Sequence, residues 1–293
     1  MKPPRFRYFA PTSVDEAVAL LSAHADAAKV LAGGQSLVPM LNMRLARPEV
    51  IVDINRVEGL GHIEVRDGEL VIGALARQRA VEKSAEVARR LPVLREAVGY
   101  VGHVQIRNRG TVTGSIIHAD PSAELPAVLA LVDGSVRVQG PSGTRDIPWR
   151  ELFLTYFTTT LAADEVAVEA RFPLPPEGAG WAFLEVARRH GDFALVGVAA
   201  QVTVDEAGRC GEARLALTGV GGTPIRPERA EALLAGHALE DDVLAAVADA
   251  VRESIEPDSD IHASADYRRH VAGVLTGRAL RAAWERAGRG GEV

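Results

Sequence analysis

The sequence has almost no cysteine: Cys210 is the only one in 293 residues. A single thiol excludes a disulfide within the chain, and so little cysteine is typical of proteins from a reducing compartment. We therefore expect a cytoplasmic protein. A single cysteine also excludes an iron–sulfur cluster held by four thiolates of this chain.

Other features are missing as well. No apolar run approaches the ~18 residues of a membrane-spanning helix, and the N-terminal segment MKPPRFRYFAPTS lacks the apolar core of a secretory signal. An integral membrane protein is therefore not expected. The net charge of −6 argues against a nucleic-acid partner, which usually meets a basic face. The eight histidines show no metal-ligand spacing, and neither H-E-x-x-H nor G-x-S-x-G occurs, so no metal site or catalytic triad is predicted.

The order of helices and strands predicts an α+β protein. Ser13 and Glu16 form a capping-box pattern at the start of a helix, and Asp67-Gly68 predicts the turn of a β-hairpin. The stretch 173–178, PLPPEG, is the strongest linker signal. Helices and hairpins mix before it, and three strands followed by helices come after it, so we expect a domain boundary there. Residues 288–293 are expected to be frayed.

A glycine turn follows the first apolar strand. Val30–Ala32 predicts a strand, and the apolar residues from Leu37 onward fall at helical spacing. Gly33 and Gly34 let main-chain N–H groups converge on one point, and Ser36 can cap the helix or donate its hydroxyl. The segment therefore suits a phosphate, although it matches neither G-x-G-x-x-G nor the P-loop. A plain strand-to-helix turn explains the pentapeptide equally well.

A second segment of small and hydroxylated residues lies about 80 residues further along, at 110–115, GTVTGS. We interpret it as a loop in which Thr111, Thr113 and Ser115 supply donors and Gly114 permits close approach of the backbone. The alternative is a loop whose hydroxyls bond only to its own backbone. A diphosphate with two nucleoside arms needs donors from more than one side, and two such loops would provide them.

Three further residues are candidates for the same ligand. Asp120 and Glu124 could accept hydrogen bonds from ribose hydroxyls, as acidic residues do in other dinucleotide sites. The alternative for Glu124 is a first-turn carboxylate that the helix dipole favours. Phe193 could stack on a flat cofactor ring, or it could belong to the core.

The motifs resemble one family when taken together. The segments AGGQS, GTVTGSIIHADPSAELP, RRHGDFALVGVAA, GVGGTPIRP and SADYRRHVAGVLTGRAL occur in the order found in the FAD-binding medium subunit of molybdenum hydroxylases. The resemblance is strongest to the aerobic carbon monoxide dehydrogenase type and runs nearly end to end.

The resemblance implies a fold and its domains. The FAD-binding domain would be of the two-lobed vanillyl-alcohol-oxidase (PCMH) type and would span residues 1–176, with lobes of about 1–55 and 56–176. A C-terminal α/β domain of the CO dehydrogenase flavoprotein type would span residues 177–293.

The resemblance also implies FAD as the cofactor. The two glycine-bearing segments would hold its pyrophosphate, Glu124 with Asp120 nearby would lie at the adenosine end, and Phe193 would lie against the isoalloxazine. No catalytic residue and no metal ligand are expected on this chain. The predicted cofactor-binding residues are Leu31, Ala32, Gly33, Gly34, Gln35, Ser36, Leu37, Thr111, Val112, Thr113, Gly114, Ser115, Asp120, Glu124 and Phe193.

The sequence departs from the family pattern at three of these positions. Thr113 stands where the second motif usually has glycine, and a β-branched residue there is strained if the position needs a positive φ. Phe193 stands where some members have tyrosine, which keeps the ring and removes the hydroxyl. Gln35 stands where others have histidine, which removes a charged contact to phosphate.

The resemblance implies partners. Family members pass electrons from a molybdopterin-binding large subunit through a 2Fe–2S small subunit to this flavin and then to an external acceptor. A dimer of heterotrimers is expected. The alternatives are a self-contained flavin oxidoreductase of the same superfamily and a non-catalytic assembly subunit that has lost its cofactor.

Overall fold

The computed structural model describes residues 2–287, and the expectation for residues 288–293 lies outside that range. The chain forms three successive units, each with its own main β-sheet, and the second unit has an additional two-stranded sheet. In the first unit the elements are β1 (Arg7–Phe9), α1 (Val14–His24), β2 (Ala28–Leu31), α2 (Leu37–Asn42) and β3 (Val50–Asp53), with short 3₁₀ turns at Ala25–Ala27 and Ile54–Arg56.

The first unit is a small parallel sheet of order β1-β3-β2 covered by α1. The helix begins where the capping box predicts, because the Glu16 N–H donates to Ser13 Oγ at 3.1 Å. The Glu16 carboxylate closes the box one residue earlier than expected, on the Thr12 N–H at 2.8 Å. The apolar stripe of α1, including Leu21, is buried against β3. This packing positions β2 and β3, and with them the residues that follow each strand.

The second unit holds a five-stranded antiparallel sheet of order β4-β5-β10-β6-β7. Its elements are β4 (Ile63–Arg66), β5 (Glu69–Gly73), α3 (Gln78–Lys83), α4 (Ala85–Arg90), α5 (Pro92–Tyr100), α6 (Val104–Arg107), α7 (Val112–His118), α8 (Glu124–Leu131), β6 (Ser135–Gly140), β7 (Gly143–Pro148), α9 (Trp149–Leu152), β8 (Phe153–Thr155), β9 (Thr158–Thr159) and β10 (Val166–Pro173). Asp67 and Gly68 have φ values of 53° and 79°, as the predicted tight hairpin turn requires.

The third unit is an antiparallel sheet of order β11-β12-β13 with helices on one face. Its elements are β11 (Gly180–Val186), β12 (Val196–Val204), β13 (Cys210–Thr218), α10 (Glu228–Ala232), α11 (Asp241–Glu253) and α12 (Ala265–Arg286). Val198 and Leu215 pack under α11 and α12, whereas Ala199 and Ala216 on the opposite face join the core around α8. The sheet is therefore covered on both faces, and the second and third units share a core.

Polar contacts reinforce this joint. The Glu96 carboxylate of α5 accepts the Phe183 N–H at 2.8 Å and a bond from Arg286 of α12 at 3.2 Å. The Arg286 guanidinium also lies 4.2 Å from the centre of the Trp181 ring. No sheet crosses the interval between β10 and β11, and the predicted boundary at residues 176 and 177 falls in that interval.

The structure confirms the predicted α+β fold class with one local correction. The segment predicted as a second loop, 111–115, is instead the start of helix α7. Its apolar residues Val112 and Ile116 are buried in the core of the second unit. Tertiary burial therefore makes this stretch of β-branched residues and glycine helical in spite of its low helix propensity. Between residues 2 and 287, no helix combines the length and apolarity needed to span a membrane.

Candidate functional site

The first glycine turn leaves β2 and packs directly against the segment before α7. A Cβ on Gly33 would overlap the Arg109 carbonyl oxygen and lie 2.8 Å from the Gly110 Cα. Gly34 has a φ of +74°, which side chains disfavour. Both glycines are thus needed, one for a close backbone approach and one for its conformation.

The turn leaves main-chain donors free. Within the described part of the chain, the N–H groups of Gly34, Gln35 and Ser36 donate to no other backbone group. The Ser36 hydroxyl does not cap α2, although Ser36 occupies the N-cap position. A plain turn capped by Ser36 would require a hydrogen bond from a helix N–H to the Ser36 hydroxyl, and the structure does not form it. Consecutive free N–H groups favour an anion.

These donors border an open cleft of about 300 Å³. Three of its polar residues, Asp53, Asn55 and Arg109, were missed by the sequence analysis. The sequence does contain a signal for the first two, since β2 and β3 are parallel and polar residues after neighbouring parallel strands meet at one edge. The lining residues are Leu31, Ala32, Gly33, Gly34, Gln35, Val38, Pro39, Asn42, Asp53, Asn55 and Arg109.

The charged side chains at the cleft differ in whether they already have hydrogen-bond partners. Burial alone would raise the pKa of Asp53, but hydrogen bonds from Tyr8 at 2.6 Å and from the Asn55 N–H at 2.9 Å outweigh it and lower that pKa. Asp53 is thus ionised and already bonded. Arg109 is exposed, and within residues 2–287 it forms no ion pair. Its charge helps to lower the pKa of Asp53 from a distance, and its guanidinium can still pair with an anion in the cleft.

The second predicted segment uses most of its hydroxyls internally. Thr111 is the N-cap of α7, and its Oγ1 accepts the Gly114 N–H at 3.0 Å. Thr113 is 2% exposed and donates to the Ile72 carbonyl at 3.4 Å. Because Thr113 lies in a helix and not in the positive-φ region, the expected strain at this position is absent. Gly114 and Ser115 remain at the surface.

The acidic candidates lie at the joint between the second and third units. Glu124 is 6% exposed at the start of α8, and burial raises its pKa to about 7. Burial also raises the pKa of Asp120, which accepts the Ser122 N–H at 2.9 Å. A third carboxyl group, Glu185 of β11, was missed by the sequence analysis. Burial and the nearby Glu124 raise its pKa to about 8, and its Oε2 is buried without a partner among the described residues.

Phe193 lies on the connection between β11 and β12 and is 73% exposed. The alternative that it belongs to the core is therefore wrong. The neighbouring Gly191 has a φ of +87°, and a Cβ there would meet the His103 ring at 2.6 Å. The connection thus packs closely on the second unit while it presents the Phe193 ring to solvent.

The predicted residues form two groups. Leu31–Gln35 line the cleft with Arg109, whereas Ser36, Leu37 and the start of α7 are their neighbours in the chain and lie outside its lining. Asp120 and Glu124 lie instead beside the third unit, where the Pro121 carbonyl accepts the Gly219 N–H at 2.8 Å. Gly219 in turn lies close to the carbonyls of Ala194 and Leu195, which directly follow Phe193, so this is also the side of Phe193. Helix α7 connects the groups, and its seven residues span roughly 10 Å.

Comparison with known proteins identifies this arrangement. Residues 4–175 match the family described as FAD binding domain in molybdopterin dehydrogenase. The chain belongs to this family. Residues 181–283 match the CO dehydrogenase flavoprotein C-terminal domain, so both predicted domain types are confirmed.

Individual relatives match over almost their whole length. The chain is 45% identical to the 6-hydroxypseudooxynicotine dehydrogenase complex subunit alpha of Paenarthrobacter nicotinovorans, over 98% of this chain and 97% of that one. It is 41% identical to the carbon monoxide dehydrogenase medium chain of Hydrogenophaga pseudoflava, over 98% and 99%. The solved carbon monoxide dehydrogenase from the same organism, lacking the Mo-pyranopterin moiety of its cofactor, superposes with a TM-score of 0.95 at 42% identity, over 98% of this chain and 100% of that one.

The comparisons confirm the predicted family, FAD as the cofactor and an oxidoreductase subunit. The cleft fits a pyrophosphate of FAD on three observations. Gly33 and Gly34 shape a backbone cradle that side chains would fill, three consecutive N–H groups are free within the described residues, and Arg109 adds a positive charge that Gln35 lacks. The cofactor contacts of the individual residues stay predictions.

Proposed function

We propose that this chain is the FAD-bearing electron-transfer subunit of a molybdenum hydroxylase. The observation that carries the proposal is the length of the match: the chain covers 97–99% of relatives that are named as a medium chain or a complex subunit. The chain thus corresponds to one component of such an enzyme. A molybdopterin-binding large subunit and a 2Fe–2S small subunit would be its partners, in a dimer of heterotrimers.

We propose that the two groups of site residues hold two parts of FAD. Gly33–Ser36 and the start of α7 would bind the pyrophosphate, with Arg109 opposite its charge. Phe193 would lie against the isoalloxazine. Since Asp120 and Glu124 lie on the side of Phe193, we place them beside the half of FAD that reaches Phe193, which differs from the adenosine contact predicted for Glu124.

The chain's own residues would bind and orient the cofactor and perform no proton abstraction on the organic substrate. Bound FAD supplies the ability to accept single electrons from iron–sulfur centres and to release them in pairs. Substrate chemistry would belong to the large subunit. The sequence resemblance favours the carbon monoxide dehydrogenase type, whose relatives match at 41% identity and with a TM-score of 0.95. The 45% identity to a subunit of the 6-hydroxypseudooxynicotine dehydrogenase complex makes an organic substrate the alternative. The single, buried Cys210 is typical of the cytoplasm, where we place the complex.

The test is a comparison of flavin reduction with and without partners. The purified chain, alone and co-expressed with candidate large and small subunits, is mixed anaerobically with carbon monoxide or with an organic substrate such as an N-heteroaromatic compound, and flavin absorbance is followed. Bleaching only in the complex supports the proposal. Bleaching of the isolated chain by an organic substrate would establish a self-contained oxidoreductase, and absence of flavin in both preparations would establish an assembly subunit without cofactor.

A further inference from the structure

A chain of hydrogen bonds connects the two segments that border the cleft. It begins at the carbonyl of Ala32 in the glycine turn, which accepts a bond from Asn55 Nδ2 at 2.8 Å. The Asn55 Oδ1 accepts a bond from Arg77 Nη2 at 2.5 Å. Arg77 Nη1 then donates to the Arg109 carbonyl at 2.7 Å. Two side chains thus span the gap from one backbone segment to the other.

Both side chains are held in place from outside the bridge. The Asn55 amide also bonds to Asp53 Oδ1 at 2.5 Å, and Asp53 is in turn fixed by Tyr8 at 2.6 Å. The chain around Arg77 is anchored because the Gln78 N–H donates to the Gly110 carbonyl at 2.9 Å. The bridge therefore has little freedom to adjust its length.

The bridge ends on the atoms that set the cleft's shape. The Arg109 carbonyl that accepts from Arg77 is the same oxygen that a Cβ on Gly33 would overlap. The bond from Arg77 keeps the two segments from moving apart, and the Gly33 backbone already lies so close to the Arg109 carbonyl that no Cβ would fit between them. Both terminal nitrogens of the Arg77 guanidinium donate hydrogen bonds within the bridge. The Arg109 side chain forms no ion pair within residues 2–287.

We infer that Asn55 and Arg77 are positioning residues that preset the separation of the two segments for the pyrophosphate of FAD. They act through the carbonyls of Ala32 and Arg109. A preset site binds more tightly because less ordering is required when the ligand arrives. The inference rests on the cofactor placement proposed above and concerns residues that the family motifs do not include.

The experiment measures FAD affinity and the melting temperature of the FAD-free full chain for Asn55→Ala, Arg77→Lys and the double variant. Lysine keeps the charge of Arg77 but cannot reach both acceptors, since it is a point charge without a fork. We expect each single change to weaken FAD binding about tenfold, which is about 1.4 kcal/mol. The double variant should lose little more than either single variant, because one bridge is broken in each case. Arg89→Gln, on the exposed surface of α4 and bonded to Glu86 at 2.7 Å, is the control.

Three results would overturn the inference: Arg77→Lys binding FAD like the wild type, multiplicative losses in the double variant, or a loss of affinity matched by a fall in the melting temperature of the FAD-free chain. The last would indicate a merely structural role. If the wild type binds FAD and every variant binds it with the same affinity, the positioning role of Asn55 and Arg77 is refuted and the cofactor placement stands. If the wild-type chain binds no FAD, alone or with its partners, the cofactor placement fails as well.

Discussion

Gly33 and the Arg109 carbonyl oxygen are in backbone contact, so that the glycine turn after β2 and the segment before α7 form one surface. They are separated by 76 positions in the sequence, and no side chain lies between them. The contact explains why position 33 needs a glycine although its φ is not positive.

Gly33→Ala should abolish FAD retention. The added methyl group would overlap the Arg109 carbonyl and approach the Gly110 Cα, so one of the two backbone segments has to move. The flavin-to-protein ratio of the purified chain or complex measures the effect. Gly61→Ala is the matched control because a Cβ at Gly61 meets nothing within 4 Å. If Gly33→Ala retains a full complement of FAD, the cleft between these segments is not the pyrophosphate site.

Arg109→Gln should weaken FAD binding by about tenfold to a hundredfold, the range for losing a hydrogen bond to a charged group. The affinity of the variant should also depend less on salt, because an exposed cation facing a phosphate is screened by ions. Titration of the FAD-free chain at two ionic strengths measures both effects. An equal salt dependence in wild type and variant would show that Arg109 does not face the phosphates.

Phe193→Ala should weaken FAD binding about threefold to tenfold, which corresponds to the ~0.5–1.5 kcal/mol of an aromatic contact. It should leave the melting temperature of the FAD-free chain unchanged, because the ring is 73% exposed and surface changes have small effects. Phe193→Tyr should bind like the wild type, since the stacking face is kept.

Ile261→Ala provides the control for loss of an exposed apolar side chain, as Ile261 is 94% exposed. Equal affinities for Phe193→Ala and the wild type would place the isoalloxazine elsewhere.

Local signals predicted the parts of the fold that depend on neighbouring residues. The Ser13 cap and the Asp67-Gly68 turn need only a few adjacent residues to form, and both were predicted correctly. Helix α7 was missed because Thr113 and Gly114 favour other conformations. It forms because Val112 and Ile116 are buried against the second sheet, which is a contact that no local pattern records.

The site residues likewise divide into those that local motifs reveal and those that only tertiary contacts reveal. The glycine turn could be found as a motif. Asp53 and Asn55 could be found only by pairing β2 with β3 in parallel, and Arg77 has no such signal because its bonds require the approach of α3. Glu185 was missed for a related reason. In an isolated strand it reads as a residue facing solvent, and only the packing of the third unit on the second buries it.

Glu185→Gln should change how stability depends on pH. Burial raises the pKa of Glu185 to about 8 from 4.5, so the folded chain holds a proton that the unfolded chain releases across that interval. Its stability therefore falls as pH rises from about 5 to 8, and below 4.5 the group has no effect because both states are protonated. Glutamine is neutral at every pH, so the stability of the variant should match that of the wild type near pH 5 and exceed it at pH 8.5 by ~1–3 kcal/mol, a discounted conversion of the pKa shift.

Melting temperatures of the FAD-free chain between pH 5 and 8.5 measure the difference, with exposed Glu206→Gln as the control. Parallel pH profiles for wild type and Glu185→Gln would mean that Glu185 is ionised, and thus solvated, in the folded protein.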